Sequence, residues 1–188
     1  RFDEALVKNL EYNIPNLLAN LTLKHHGECS LGSVLDLGCG TGLMGEELDG
    51  FCSMIEGIDL SEGMLSRAKK KNVYNKLTNV EIIDYLSNSQ LNFDYFFSAD
   101  VFIYMGDLTD VFRLIKSRNE RCGKLVFSTE HRGNVGFHLE KSGRYSHSKS
   151  YIDKLCEEFS YSISHFSKAN LRKESDTFLT GGLYVLDF

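Results

Sequence analysis

The segment that most constrains the fold is Val34-Leu35-Asp36-Leu37-Gly38-Cys39-Gly40-Thr41-Gly42. An apolar run ends in three glycines at alternate positions, and a helix-forming stretch follows at once. Glycine lets the backbone pass close to a ligand because no Cβ stands in the way. The start of the next helix aims unpaired N–H groups at whatever sits there. In an open parallel sheet, ligands lie outside the carboxyl ends of the strands, where this turn falls. A lone Gly-x-Gly would be read as a tight turn. This string, between strand and helix, reads as a ligand loop.

Periodicity then orders the remaining elements. A helix is expected over 4–23, with Leu6, Leu10, Leu17, Leu18 and Leu21 on a helical period, interrupted by Pro15 and broken near Asn13. Strands are expected at 33–37, 52–59, 80–84, 93–98 and 124–129, with helices at 43–48, 62–71, 108–116 and 150–159. Residues 131–150 read as a long loop. Segments 161–168 and 182–188 read as strands with no helix between them, so they should pair antiparallel. This alternation implies an α/β fold, a mostly parallel sheet with helices on both faces. With 188 residues, one proline and no low-complexity run, one domain over 1–188 is expected. Its parts are an N-terminal helical cap at 1–24 and a substrate-side loop at 131–150.

A net charge of −5 argues against a chain built to coat nucleic acid or an anionic membrane. No apolar stretch approaches the roughly 18 residues needed to span a bilayer. The five cysteines, at 29, 39, 52, 122 and 156, are odd in number and form no C-x-x-C pair. Neither a disulfide framework nor a metal site is expected, and reduced thiols suit a cytoplasmic location. His25 and His26 have no acids at metal-ligand spacing and read as surface. The first residue is Arg1, so a leader or further segment could precede it.

The acids at the strand ends choose among ligands. Gly40-Thr41-Gly42-Leu43-Met44-Gly45 formally matches the dinucleotide pattern G-x-G-x-x-G. Asp36 opposes that reading, because two like charges near 4 Å cost about 4 kcal/mol at an effective dielectric of 20. A ligand carrying an ammonium and a sulfonium would be attracted instead. Asp59 stands 21 residues after Gly38, where a carboxylate can accept from ribose hydroxyls; its bland alternative is a cap for the helix after Ser61. Asp84, at the end of the expected third strand, is placed to accept from an adenine amino group, with Tyr85 and Leu86 flanking the ring. A solvated loop acid is the alternative there.

At this point a family resemblance emerges. Residues 34–42 resemble the first motif of class I S-adenosylmethionine-dependent methyltransferases. Ile58-Asp59-Leu60-Ser61 with Met64 resembles the second, Ile83-Asp84 the third, and Phe93-Asp94-Tyr95 running into Asp100-Val101 the fourth. The resemblance covers about 33–130 and implies a Rossmann-like, seven-stranded sheet with an antiparallel last strand. It also implies roles. Gly38, Gly40 and Gly42 would contact the methionine part of S-adenosylmethionine, Asp36 would hold its amino group, and Cys39 and Thr41 would belong to the same cofactor site. Asp59 would take the ribose hydroxyls, Leu60 and Met64 would pack on the adenosine, and Asp84 with Tyr85 would frame the adenine. Asp100 would sit where cofactor and acceptor meet. A narrower resemblance, carried by 2–6 with Tyr12 and Pro15, 99–108, 143–148 and 171–174, is to predicted methyltransferases joined to tetratricopeptide repeats.

Methyl transfer needs alignment and exclusion of water, and a general base only if the acceptor carries a proton. Asp100 and Tyr104 are the expected orienting groups, and His131 and His147 the candidate bases. Within 131–150, Arg132, Lys141, Arg144 and Lys149 face one acid, Glu140, a local net of +3 in an acidic chain. Arg144, with Arg172 in support, is the candidate for binding an anionic group such as a carboxylate. Tyr145 and Tyr12 belong to the same acceptor side. The alternative is a structural Arg–Glu pair, with Glu174 as partner. The expected activity is methyl transfer to a small molecule. A protein side chain as acceptor, a cofactor-binding domain without catalysis in an assembly, and a nicotinamide-dependent reductase stay open behind it.

Overall fold

The computed structural model describes residues 13–27, 30–174 and 177–188. The expected helix over 4–12, and Tyr12 with it, lies outside the described residues. Helix α1 (Ile14–His26) starts at Asn13, whose carbonyl accepts from the Leu17 N–H at 3.0 Å. Pro15 therefore sits in the first turn, where a missing N–H costs nothing, and opens a helix that it was expected to interrupt. Strand β1 (Ser33–Leu37), helix α2 (Leu43–Leu48), strand β2 (Met54–Asp59) and helix α3 (Glu62–Lys71) follow. Next come β3 (Lys76–Asn79), α4 (Ile82–Asn88), β4 (Tyr95–Ser98), a 3-10 turn (Phe102–Tyr104) and α5 (Thr109–Arg118). The chain continues through β5 (Lys124–Arg132), β6 (Phe137–Leu139), β7 (Tyr145–Ser148), α6 (Lys149–Phe159), β8 (Ser162–Glu174) and β9 (Thr177–Asp187).

The sheet runs β3-β2-β1-β4-β5, all parallel, and β9 pairs antiparallel with both β5 and β8. This is the expected Rossmann-like α/β architecture. Alternate residues of the central strands feed two cores. Leu35, Leu37, Phe96 and Phe127 join Phe112, Ile152 and Tyr184 on one face. Val34, Phe97 and Val126 join Ile14, Leu18, Met44 and Leu48 on the other. Both faces are thus covered, as a sheet of apolar strands requires.

Two expectations are corrected. The third strand is Lys76–Asn79, not 80–84, and Asp84 lies in the first turn of α4. Glu81 caps that helix by accepting from the Asp84 N–H at 3.0 Å, so the run Val80–Ile83 enters a helix. The second correction concerns 131–150, which is not a loop. Strand β5 extends to Arg132 and pairs with β7 in parallel from Glu130 to Arg132, and β7 pairs antiparallel with β6. Since β9 occupies one edge of β5 through Glu130, this hairpin must lie on the edge that β4 leaves free beyond Ser98. Among the described residues the sheet therefore has nine strands, where seven were expected.

Candidate active site

Three backbone twists open the site. Gly38, Gly40 and Gly42 have φ of +70°, +53° and +87°, a region that side chains rarely adopt. A Cβ on Gly38 would strike Val101 at 2.6 Å, whereas one on Gly40 would meet nothing within 4 Å. The turn is thus packed behind and open in front. The open side is a cavity of about 590 Å³ at the carboxyl ends of β1, β2 and β4. Its lining includes Asp36, Gly38, Cys39, Gly40, Thr41, Asp59, Leu60, Met64, Asp100 and Tyr104. The volume falls within the roughly 300–1,000 Å³ usual for small-molecule sites.

Two acids anchor it. Asp59 accepts from the Gly40 N–H at 2.9 Å through Oδ2 and from the Ser61 N–H at 2.8 Å through Oδ1. One carboxylate therefore ties β2 to the glycine turn, and each oxygen retains acceptor capacity. The cap of α3 is Ser61, which accepts from the Met64 N–H at 3.3 Å, so Asp59 is not needed for that task. Asp36 is 1% exposed and accepts from the Tyr74 hydroxyl at 2.7 Å. Burial raises its carboxyl to about 7; the Tyr74 hydrogen bond opposes the rise and the Asp59 charge adds to it. Burial, with help from the charges of Asp36 and Asp59, also pushes the Cys39 thiol far up, leaving it an inert small apolar group.

The far wall comes from the chain after β4. Asp100 has φ +60° and is held by its own N–H, which donates to Ser128 Oγ at 2.9 Å. It leads into the turn that carries Tyr104, 67% exposed, and Met105 to the cavity mouth. Gly106 follows; a Cβ there would strike Tyr145 at 2.7 Å and Phe137 at 2.9 Å, so this turn packs directly on the β6–β7 hairpin.

Other expected site residues lie elsewhere. Asp84 and Tyr85 do not line the cavity; Tyr85 is buried, and its hydroxyl donates to Glu56 at 3.2 Å. Gly42 supports the turn from behind, against Tyr74 and Ala68. His147 is fully buried; its Nε2–H donates to the Gly106 carbonyl at 2.9 Å while Nδ1 finds no partner. His131 packs beside Phe166. Burial lowers both imidazoles, and neither reaches the cavity. Arg144 stands 3.8 Å from the buried Glu130, and the Glu174 side chain lies outside the described residues. Tyr145 packs against Phe137 and Gly106, outside the cavity. The Arg172 side chain, like Tyr12, lies outside the described residues.

The cavity also draws on residues that sequence reasoning passed over: Pro15, Leu43, Met44, Val80, Glu81, Ile82 and Met105. Glu81 three positions before Asp84 was the available signal, a helix start where a strand was read.

Fold and site together define a Rossmann-like methyltransferase-type domain with a nucleoside-sized cavity at the carboxyl ends of its first strands. A family model described as a methyltransferase domain matches residues 29–179, and the chain belongs to that family. Malonyl-(acyl-carrier protein) O-methyltransferase of Bacillus anthracis is 32% identical over 138 residues, 69% of this chain and 51% of that protein. The namesake from Bacillus cereus is 28% identical over 137 residues, so the chain spans about half the length of the curated relatives it matches. Among solved structures, a S-adenosylmethionine-dependent methyltransferase from Clostridium acetobutylicum superposes with a TM-score of 0.72 at 17% identity, covering 100% of this chain and 96% of that one. The N-methyltransferase NodS from Bradyrhizobium japonicum, in complex with S-adenosyl-L-homocysteine, gives 0.72 at 19% identity, with 92% and 84% covered. At these identities the likeness is one of fold.

Proposed function

We propose that this domain binds S-adenosylmethionine in the cavity and aligns its methyl group for transfer to a small acceptor entering past Tyr104 and Met105. The observation that carries the reading is the pair of acids at the glycine turn. Asp36 is buried against the cavity and faces another acid, so a bound ammonium or sulfonium would relieve its raised pKa. A pyrophosphate there would meet two carboxylates, which disfavours the dinucleotide alternative. Asp59 retains the acceptor capacity that two ribose hydroxyls require, and Leu60, Met64, Val80 and Ile82 offer an apolar slot for a purine.

The bound cofactor would supply a carbon already activated for displacement at sulfonium. The protein's own residues would then bind, orient and exclude water. Asp36 holds the cationic end, the Gly38–Gly42 turn brings backbone close to it, and Asp100 with Tyr104 walls the acceptor side. Among the described lining residues there is no imidazole, lysine or arginine. An acceptor already ionised at neutral pH, such as a carboxylate, would need no base. The O-methyltransferase relatives agree with an oxygen nucleophile. Arg144 enters this picture through its pairing with Glu130 beside β7, at the hairpin that packs on the acceptor turn.

One observation favours a protein side chain as acceptor, recruited by tetratricopeptide repeats. Val135, Phe137 and Leu139 lie exposed along the β6 edge next to that turn. Radiolabelled methyl transfer into a cell lysate, resolved into small-molecule and protein fractions, separates the two. Label in small anionic compounds is expected. Label only in protein would transfer the assignment to the second reading, and no label in either would refute methyl transfer itself.

A further inference from the structure

Tyr74, in the segment between α3 and β3, belongs to none of the motifs at the turn, yet its side chain reaches Asp36. Its ring is threaded among three glycines. A Cβ would meet the ring or hydroxyl at 3.0 Å from Gly42, at 2.6 Å from Gly45 and at 2.9 Å from Gly57. Gly57 is the register partner of Asp36 across β1 and β2, so the absent side chain on β2 is what lets the ring lie beside the acid. The hydroxyl donates to Asp36 Oδ2 at 2.7 Å and accepts from the Gly45 N–H at 3.1 Å. Both interactions use a single oxygen, so the position of α2 and the orientation of the carboxylate are coupled.

We infer that Tyr74 is a positioning residue for the cofactor: by donating its one proton to Oδ2, it turns the Asp36 carboxylate so that the remaining acceptor capacity faces a cation in the cavity. The inference rests on the proposed binding of S-adenosylmethionine. The groups facing Asp36 agree with it. From β2 and β4 its register partners are Gly57 and Phe97, neither titratable. Asp59 and Cys39 face it from the end of β2 and from the turn, and both disfavour its charge or are indifferent to it. The Tyr74 hydroxyl is the group that favours the ionised form. Burial holds the phenol itself protonated well above its ordinary range, so the donor persists at neutral pH.

The test uses Tyr74→Phe, which keeps the ring among the glycines, with calorimetric titration of S-adenosylhomocysteine and of methylthioadenosine, a nucleoside that lacks the amino-acid ammonium. The expected result is S-adenosylhomocysteine affinity about tenfold weaker at pH 7, the scale of a hydrogen bond to a charged group. The pH midpoint of that binding should move upward, and methylthioadenosine affinity should stay within about twofold. In an Asp36→Asn background the same change should lose its effect on S-adenosylhomocysteine. Equal losses for the two ligands, or an unmoved pH midpoint, would overturn the inference and reduce Tyr74 to a packing residue. Failure of the wild-type protein to bind S-adenosylhomocysteine would instead overturn the cofactor reading, and this inference with it.

Discussion

Replacing Asp36 with asparagine should make the ligand-free protein more stable and a poorer binder, and pH should set the size of the first effect. Burial raises this carboxyl from 3.8 to about 7, against the Tyr74 hydrogen bond and with help from Asp59. Between those values the folded protein keeps a proton that the unfolded chain has released. Stability therefore falls as pH rises from about 4, and the loss is complete above about 7. The whole span corresponds to about 4 kcal/mol at pH 8, more than half of which accrues between pH 5 and pH 8. Asparagine accepts from the Tyr74 hydroxyl and carries no charge. The variant should thus resemble the wild type near pH 4 and draw ahead as pH rises. At roughly 2–4 °C per kcal/mol for a chain of this size, its advantage in Tm should widen by about 5–10 °C from pH 5 to pH 8. Thermal unfolding of the two proteins followed by circular dichroism at pH 5, 6.5 and 8 measures this. A gap that is constant or narrows with pH would refute the argument that Asp36 is a buried acid awaiting a cation.

Other expectations are narrower. Asp59→Ala removes the acceptor of the Gly40 and Ser61 amides as well as the ribose contact; S-adenosylhomocysteine affinity should fall at least about tenfold by calorimetry. Gly38→Ala combines φ +70° with a 2.6 Å clash on Val101 and should cost about 2 kcal/mol in urea unfolding. His147 is held neutral by burial, so its contribution is present above the ordinary histidine pKa and is lost as pH falls through its lowered value. In His147→Gln that part of the acid-induced loss should vanish from unfolding curves between pH 7 and pH 5, while the amide still donates to Gly106.

The first half of the chain was legible because its strands are buried on both faces and end at recognisable chemistry. Ser33–Leu37 is read to the residue, and Asp59 ends β2 as expected. Strand β3 was missed for the opposite reason. Lys76-Leu77-Thr78-Asn79 is a sheet edge with exposed ends, while the neighbouring Val80–Ile83 looks more strand-like than it is. The hairpin after β5 hid in the same way: β6 is exposed throughout, and β7 reads Tyr-Ser-His-Ser, with no apolar alternation. Strand β8 runs past the expected 168 to Glu174, because irregularities between Ile163 and His165 and between Asn170 and Arg172 break the two-residue period. Of the site, the turn and its two acids were visible as a motif. Tyr74 was not, since only the fold brings it across 38 residues to Asp36.

The most direct measurement is a pair of calorimetric titrations of the wild-type protein at pH 8, one with S-adenosylhomocysteine and one with NAD. Saturable heat with the first and none with the second is the predicted outcome. Binding of NAD in place of S-adenosylhomocysteine would contradict the assignment of the acid-lined cavity to a cationic nucleoside.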